Sequence, residues 1–321
     1  MGRSALLAVP VAAVALASAA AAVTGLAAFT PGEDRPGGAA TSVKLRNANA
    51  FSQASANLPA AALLDFRVGD GIFRKQWASS PASTASSDGL GPLFNARACQ
   101  NCHLKDGRGR PPAAGEAPSS LILKLAIPPR DDAERQALAA HRVASIADPT
   151  YGAQLQTFAI QGFAAEATVT SEREVLAVTL AGGERVTLER PRYRLADLAY
   201  GPMHPAVALS PRIAPPMIGM GLLELIPEGD IAARADPQDR DGDGVRGIAQ
   251  WSWSAAQQRV MLGRFGWKAT QPTVEDQIAA AFSGDMGLST PIRPGSAGDC
   301  TPAQAACLRA PDGADAGKGV E

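Results

Sequence analysis

Two cysteines and a histidine form the strongest chemical motif of the chain. Cys99 and Cys102 are separated by two residues and followed directly by His103, which gives the spacing C-x-x-C-H. This spacing is the attachment signature of c-type haem. Two thiols add to the two vinyl groups of one haem, and the adjacent histidine ligates the iron. The sequence therefore predicts one covalently bound haem c on Cys99 and Cys102, with His103 as an iron ligand.

Two other chemistries also use a C-x-x-C pair. A thioredoxin-like dithiol lies near a βαβ unit, and no such pattern surrounds Cys99. Half of a zinc site needs a second pair of ligands, but the remaining cysteines, Cys300 and Cys307, are spaced C-x6-C and lie far downstream. Haem attachment is therefore favoured over both, and over a chance occurrence of the spacing.

Basic residues follow the motif closely. Lys105, Arg108 and Arg110 come directly after His103. Guanidinium groups form strong charge-assisted hydrogen bonds with carboxylates. We therefore expect Arg108 and Arg110 to help bind the haem through its propionates. The alternative is that these residues are solvated loop charges.

The sixth iron ligand has few candidates, because the chain contains only three histidines. Met217 and Met220 lie downstream in a segment rich in proline and glycine, which suits the methionine ligand of a small cytochrome. The alternative for both is ordinary core packing. His204 is a second candidate ligand, and His141 on a charged helix is expected to face solvent.

An iron with an open sixth position would need a group that transfers protons if it reacted with peroxide. Glu224 lies in the apolar run GLLELI, where burial would raise its pKa. It is the candidate catalytic residue. The alternative is a carboxylate at the end of a helix.

A second candidate site lies at about residues 236–247. Asp239, Asp241 and Asp243 occupy positions 1, 3 and 5 of a loop, as in the first half of an EF-hand. Position 12 is Gln250 rather than glutamate, and no flanking helix pair is evident. The pattern predicts a free-standing Ca²⁺ loop, and the alternative is an acidic turn.

Residues 1–29 are predicted to be a secretory signal peptide or an N-terminal membrane anchor. Arg3 precedes an apolar, alanine-rich run from Ala5 to Ala28, which is typical of a signal peptide but approaches the length of a span. Either function predicts a periplasmic or exported protein, in contact with the membrane only through an uncleaved segment. Disulfides persist after export, so we expect Cys300 and Cys307 to be joined.

The elements that position these groups follow from local patterns. Residues 30–56 indicate a flexible linker, and residues 57–321 the haem domain. A helix is predicted over 129–146, and another over Thr273–Ser283 with Thr273 as N-cap. Within an inserted β region at about 166–193, VLAVTL, AGGE and RVTLE predict a β-hairpin. The expected fold is mainly α and cytochrome c-like, with this β-hairpin as an insertion.

Several segments resemble one known family. Gly89–Pro112, Leu180–Met203 and Ile213–Glu228 are similar to segments of the di-haem oxidoreductases, thiol oxidoreductase-like c-type cytochromes that include peroxidases. The resemblance covers roughly residues 57–310 and implies haem-dependent oxidoreductase or peroxidase activity. It also implies a second C-x-x-C-H toward the C-terminus, whereas this sequence contains one.

Two functions are therefore expected. The first is a haem oxidoreductase acting on peroxide, and the second a non-enzymatic electron carrier with His/Met-ligated iron. A binding module organised by the calcium loop and the disulfide is a third. The expected partner is a redox protein or a quinone-linked electron donor. The formal net charge of −1, without a basic stripe, excludes nucleic acid.

Overall fold

The computed structural model describes residues 30–44, 46–113 and 115–313. The predicted signal peptide or anchor at 1–29 lies outside the described residues. Within them, no helix has the length and apolar character needed to cross a membrane. Chain contacts divide the protein into two units, and residues 30–43 with 55–57 belong to the first. In this first unit the Ala56 amide donates to the Ala40 carbonyl (3.1 Å).

The remaining described residues form the second unit, which contains all the α-helices and strands described here. Its α-helices are α1 (Ala60–Arg74), α2 (Cys99–Cys102), α3 (Asp132–Ala139), α4 (Met220–Glu224), α5 (Glu228–Ala232) and α6 (Val274–Met286). Short 3-10 helices lie between them, including Leu104–Asp106 just after α2.

Four small antiparallel sheets accompany these helices. Strand β1 (Leu93–Phe94) pairs with β4 (Phe158–Ala159), and β2 (Leu121–Ala126) lies between β3 (Gln154–Leu155) and β7 (Ala208–Ile213). Strand β5 (Thr168–Thr179) pairs with β6 (Arg185–Ala196), and β8 (Trp251–Ser254) with β9 (Arg259–Leu262).

The expectation of a mainly α, cytochrome c-like fold is wrong. Of the residues that the structure describes, 24% are helical and 21% are in strands or bridges, so neither class dominates. The prediction failed because apolar residues repeat at every second position of residues 121–126, a segment in which we expected no strand. Leu121, Leu123 and Leu125 are buried and alternate with half-buried residues, which is the pattern of a strand rather than a helix.

Both predicted helices are present, but the one predicted over 129–146 begins later and ends earlier than expected, at Asp132 and Ala139. The Asp131 side chain accepts a hydrogen bond from the Glu134 amide (2.8 Å) and begins α3. Thr273 caps α6 in the same way through the Asp276 amide (3.0 Å). The helix predicted over 129–146 stops at Ala139, because His141 has a left-handed φ of 54° that a helix does not tolerate.

The predicted β-hairpin is present and longer than its sequence pattern indicated. All twelve residue pairs from Thr168–Ala196 to Thr179–Arg185 are in register. Cross-strand ion pairs, such as Arg173 with Glu189 (2.8 Å), line its surface. The predicted disulfide between Cys300 and Cys307 is also present.

Two apolar clusters form the core. The first surrounds β2 and β3, with Tyr151 completely buried. The second joins Trp77, Leu90, Phe94, Met286 and Leu288, and the partly buried Cys99 and Phe282 pack against it. This second cluster is the platform that supports the C-x-x-C-H turn.

Candidate haem site

The two cysteines of the motif lie on a single helical turn. Ala98, which is completely buried and extended, leads into α2. Cys99 and Cys102 occupy the two ends of this helix, and both thiols are free and partly buried. The His103 amide donates to the Cys99 carbonyl (3.0 Å), so the histidine is fixed at the end of the same turn.

A tight backbone contact holds this turn in place. The Gly109 amide donates to the Ala214 carbonyl (2.9 Å), and Ser120 Oγ donates to the Cys102 carbonyl (3.1 Å). A Cβ added to Gly109 would lie 2.5 Å from Ser120 Cβ and 3.0 Å from the Cys102 oxygen. Only glycine fits this position without a shift of its neighbours.

The imidazole of His103 has a fixed tautomer. Its Nδ1 lies 2.7 Å from the Pro215 carbonyl oxygen, which can only accept a hydrogen bond. Nδ1 therefore carries the proton, and Nε2 keeps a free lone pair. Burial lowers the pKa of His103 below its usual value, although the Pro215 contact and nearby Asp285 and Asp106 raise it in part. A neutral ring with a free Nε2 is the form that ligates a metal.

The electrostatics of the thiols distinguish this site from a redox dithiol. Burial, aided by the negative charge of Asp285, raises the pKa of Cys99 to about 11 and that of Cys102 to about 12. A reactive C-x-x-C dithiol instead needs a pKa below that of free cysteine. The thioredoxin-like alternative is therefore disfavoured by the surroundings of both sulfurs.

The site also differs from a zinc centre. Among the described residues, the one group of three or more His, Cys, Asp or Glu side chains that converges on a point is the Asp239 cluster. Cys99, Cys102 and His103 do not converge. Two free thiols beside a histidine, without a shared point for a metal, suit a group that each sulfur meets at a different atom, as the two vinyls of a haem require.

Apolar side chains around the motif leave a surface that fits a porphyrin. The Phe73 ring lies 6.3 Å from the His103 ring. Large apolar side chains on neighbouring segments are exposed, and they include Phe66, Leu104, Ile218 and Leu222. These side chains would lose their contact with water if haem covered them, which favours its binding. The residues present therefore fit haem in their donor set and their apolar surroundings.

The two arginines expected at the propionates are placed differently. Arg108 is exposed. Arg110 is also exposed and forms a two-point ion pair with Glu116, in which Nη1 lies 2.7 Å from Oε2. Arg110 would have to give up this pair to bind a propionate.

The histidines and methionines considered as the sixth iron ligand lie on later segments of the chain. The Met217 amide donates to the Asp106 carbonyl (2.8 Å), which holds the backbone of Met217 close to the C-x-x-C-H turn. Met220 is the first residue of α4. The Nδ1 of His204 accepts from the Ala206 amide (3.1 Å). His141 is exposed, as expected.

The structure gives Glu224 a structural partner. Its Oε1 accepts a hydrogen bond from the Val274 amide at the start of α6 (2.8 Å). The side chain is exposed rather than buried, so the apolar run GLLELI does not enclose it. Its catalytic role stays a prediction.

The acidic loop has the geometry expected of a cation site. One carboxylate oxygen from each of Asp239, Asp241 and Asp243 lies within 4.8 Å of the others. An antiparallel bridge between Asp236 and Gly247 closes the loop. Backbone amides donate to the same carboxylates, including Val245 to Asp243 Oδ1 (2.7 Å).

Sequence reasoning missed three residues of the haem site. Pro215 binds the imidazole through its carbonyl, which any residue carries, so no signal in its identity could have revealed it. Asp106 has a buried carboxylate oxygen, Oδ2, without a partner among the described residues. Asp285 lies at the end of α6 and accepts from Gln154 Nε2 (2.7 Å). These contacts join residues that are far apart in the sequence, so no short stretch of sequence reveals them.

The family comparison agrees with this site. A sequence model of the family described as "Di-haem oxidoreductase, putative peroxidase" matches residues 31–321. The chain therefore belongs to the di-haem oxidoreductase family, as its motifs indicated. Membership confirms haem binding and the oxidoreductase class at the level of the family. No curated protein and no solved structure matches the chain significantly.

Proposed function

We propose that this protein is an exported c-type cytochrome that transfers electrons through one haem, bound covalently by Cys99 and Cys102 and ligated by His103. One observation carries the proposal. Two free, partly buried thiols share a helical turn with a histidine whose Nδ1 is committed to the Pro215 carbonyl. This arrangement leaves Nε2 for iron, and the two sulfurs for two separate carbon atoms.

The protein's own groups would hold and insulate the haem. Haem bound at this turn supplies one-electron chemistry at its iron. The hydrogen bond from His103 to Pro215 orients the imidazole and increases its basicity as a ligand. Phe73 and the exposed apolar side chains of the neighbouring segments would line the bound porphyrin and exclude water from it.

The test of haem attachment compares two double variants. Cys99→Ala/Cys102→Ala should abolish the haem that remains bound after denaturation, because both thioethers are lost. Cys300→Ala/Cys307→Ala removes two cysteines elsewhere and should retain full haem stain on a denaturing gel. Haem that survives denaturation in the first variant would rule out this attachment site.

The sixth ligand decides between electron transfer and peroxide chemistry. We propose a thioether from Met217 or Met220, which makes the iron low-spin, raises its potential and blocks peroxide. The 321 residues hold one C-x-x-C-H, and the electron transfer proposed for them needs one haem. Absorption spectra with a thioether band, together with weak peroxide-dependent oxidation of a reduced donor, are the expected results.

A peroxidase is the second candidate, and Glu224 provides its test. Glu224→Gln keeps the Oε1 atom that accepts from Val274, so helix α6 should remain capped and the protein equally stable. Rapid peroxide turnover by the wild type that this variant loses would favour the enzyme over the electron carrier. Equal turnover in both would exclude Glu224 as the proton-transfer group.

The remaining expectations complete the proposal. The protein is periplasmic or exported, and its electrons come from a redox protein or a quinone-linked donor. Fractionation of cells that produce the full chain, with intact mass measurement, tests export and cleavage together. A cytoplasmic, uncleaved protein without covalent haem would contradict the proposal, because haem c is attached after export. Ca²⁺ at Asp239, Asp241 and Asp243 would be a second, structural ligand.

A further inference from the structure

A cavity of about 450 Å³ lies on the side of the second core cluster. Its floor is the indole of Trp77, which is only 4% exposed, and the Phe282 ring, which meets Trp77 edge-on at 6.1 Å. Ile72, Ile278 and Leu288 line its apolar walls. This volume lies within the range of cavities that bind small organic molecules.

The charged groups of the cavity are mainly acidic. Its lining contains the carboxylates of Asp88, Glu275 and Asp312 and a single ammonium, that of Lys75. Asp88 accepts from the Gly89 amide (2.8 Å). In the part of the chain that the structure describes, the carboxylates of Glu275 and Asp312 have no hydrogen-bond or ion-pair partner. The cavity therefore favours a positive ligand.

Trp77 already interacts with a cation. The Lys75 ammonium lies 5.0 Å from the centre of the Trp77 ring and donates to the Ser86 carbonyl (2.5 Å). Cations are attracted to the face of an indole more strongly than to other aromatic rings. An aromatic floor under excess negative charge is a recognition surface for a flat cation.

The cavity is connected to the haem-bearing turn. The Trp77 amide donates to the Arg97 carbonyl (2.8 Å), and Arg97 Nε donates to the Trp77 carbonyl (3.0 Å). Arg97 precedes Cys99 by two residues, and Cys99 packs against the same cluster as Trp77. Two hydrogen bonds and one packed cluster therefore connect the cavity to Cys99, the first thiol of the motif.

We propose that this cavity binds a small, planar aromatic cation that donates one electron to the haem, with Trp77 between donor and haem. The inference rests on the proposed function, since it needs haem at Cys99. The donor loses one electron and becomes its one-electron oxidised form, and the iron is reduced by one electron. No bond forms or breaks, and no proton moves in this step. The apolar walls select the flat ring, and the excess of carboxylates selects its charge.

The first test measures binding alone, by calorimetry on the haem-loaded full chain. Phenyltrimethylammonium should bind, while benzenesulfonate, a ring of similar size with the opposite charge, should not. Ile278→Lys places a positive charge at the cavity and should weaken the cation by about tenfold or more. Leu180→Lys is the matched control, because Leu180 is 45% exposed and Ile278 47%, and Leu180 lies on the hairpin. Glu275→Gln should weaken binding by about threefold.

Three results would overturn the inference: no binding of the cation by the wild type, equal binding of the two probes, or equal affinity in Ile278→Lys and Leu180→Lys. None of them depends on electron transfer. Loss of covalent haem in the wild type would instead contradict the proposed function, and calorimetry would still report on the cavity. The two failures are therefore distinguishable.

The second test follows reduction of the haem spectrum by two donors. The methyl viologen radical cation is a flat aromatic cation that loses one electron, and dithionite is a small anion that does not need the cavity. Ile278→Lys should slow reduction by the radical cation by about the factor found for binding and leave reduction by dithionite unchanged. Equal slowing with both donors would assign the effect to the haem rather than to the cavity.

Discussion

The two cysteine pairs of this protein have opposite fates. Cys99 and Cys102 lie on one helical turn beside a histidine and stay free, whereas Cys300 and Cys307 are joined across a short loop. The first pair adjoins exposed apolar side chains, but the second encloses Gln304, which is 99% buried. A pair of cysteines can therefore be a binding site or a structural cross-link, and the residues around the pair decide which of the two it is.

A buried polar network links the disulfide loop to the core. Gln304 Nε2 donates to Glu166 Oε1, and Glu166 Oε2 accepts from the Gln156 amide. The Gln156 side chain donates in turn to the Gly284 carbonyl (2.8 Å). Gly284 precedes Asp285, the residue whose charge raises the pKa of both motif thiols. Buried polar contacts therefore link the disulfide loop to the end of α6, which carries Asp285.

The largest effect on stability is expected from Glu166. Burial raises the pKa of its carboxyl to about 8, so the folded protein holds this proton over a range in which the unfolded chain has lost it. Stability is then full below the unfolded pKa of about 4.5 and falls as the pH rises toward 8. Between pH 5 and 8 the loss should reach about 4 kcal/mol, measured by urea unfolding.

Glu166→Gln tests the source of this dependence. The amide cannot ionise, so the variant should lose less stability than the wild type over the same pH range. Glu172→Gln is the control, because Glu172 is exposed on the hairpin and pairs there with Arg194 (3.2 Å). Equal pH slopes in the wild type and Glu166→Gln would show that another group is responsible.

The next effect concerns the backbone contact that is specific to the haem turn. Gly109→Ala should destabilise the protein by about 3 kcal/mol, because its Cβ would overlap Ser120 and force the two segments apart. Covalent haem yield should fall with it, as the Cys102 carbonyl loses its position. Unfolding by urea and haem stain after denaturation measure the two effects.

Gly69→Ala is the matched control for this substitution. Gly69 lies in α1, and a Cβ there meets nothing within 4 Å. Alanine is the better helix former, so this variant should gain about 0.5–1 kcal/mol. If both variants lost stability equally, the close approach at Gly109 would not be the cause.

The sequence predicted the parts of this molecule whose causes are local. The N-cap Thr273, the turn of the β-hairpin and the Cys300–Cys307 disulfide are determined by neighbouring residues, and all three are confirmed. The C-x-x-C-H turn is local in the same sense. These features need no knowledge of how distant segments pack.

The predicted fold class was wrong because the class of a fold depends on pairing between distant segments. Strand β2 pairs with β7, so Leu121 lies opposite Ile213, and no short window contains both. The Pro215 contact with His103 crosses a similar distance. Glu224 had two expectations, burial by its apolar neighbours or a place at the end of a helix, and the structure has it exposed as the last residue of α4. Hydropathy alone does not reveal which apolar runs face a ligand.

A smaller effect is expected from the second cysteine pair. Cys300→Ala/Cys307→Ala should lower the free energy of unfolding by about 2.5 kcal/mol, since the cross-link restricts a short loop in the unfolded chain. Thiol labelling of unfolded, unreduced wild-type protein should find neither cysteine. Two labelled thiols in this peptide would contradict the disulfide and remove the contrast between the pairs.

The smallest effect is expected at the acidic loop, which belongs to neither cysteine pair. Three carboxylates whose oxygens lie within 4.8 Å of one another repel each other in the absence of a cation. A bound Ca²⁺ would remove this repulsion and stabilise the folded state by mass action, by about 1–2 kcal/mol at a moderate excess over its Kd. The melting midpoint should therefore rise with Ca²⁺ and fall with a chelator.

Asp241→Asn keeps an oxygen that accepts from the Asp243 amide but removes one charge, so it should weaken the response to Ca²⁺ and raise the midpoint slightly in chelator. Asp132→Asn, at an exposed position on α3, should respond to Ca²⁺ like the wild type. An unchanged wild-type midpoint across both conditions would leave the loop as an acidic turn held by its backbone hydrogen bonds.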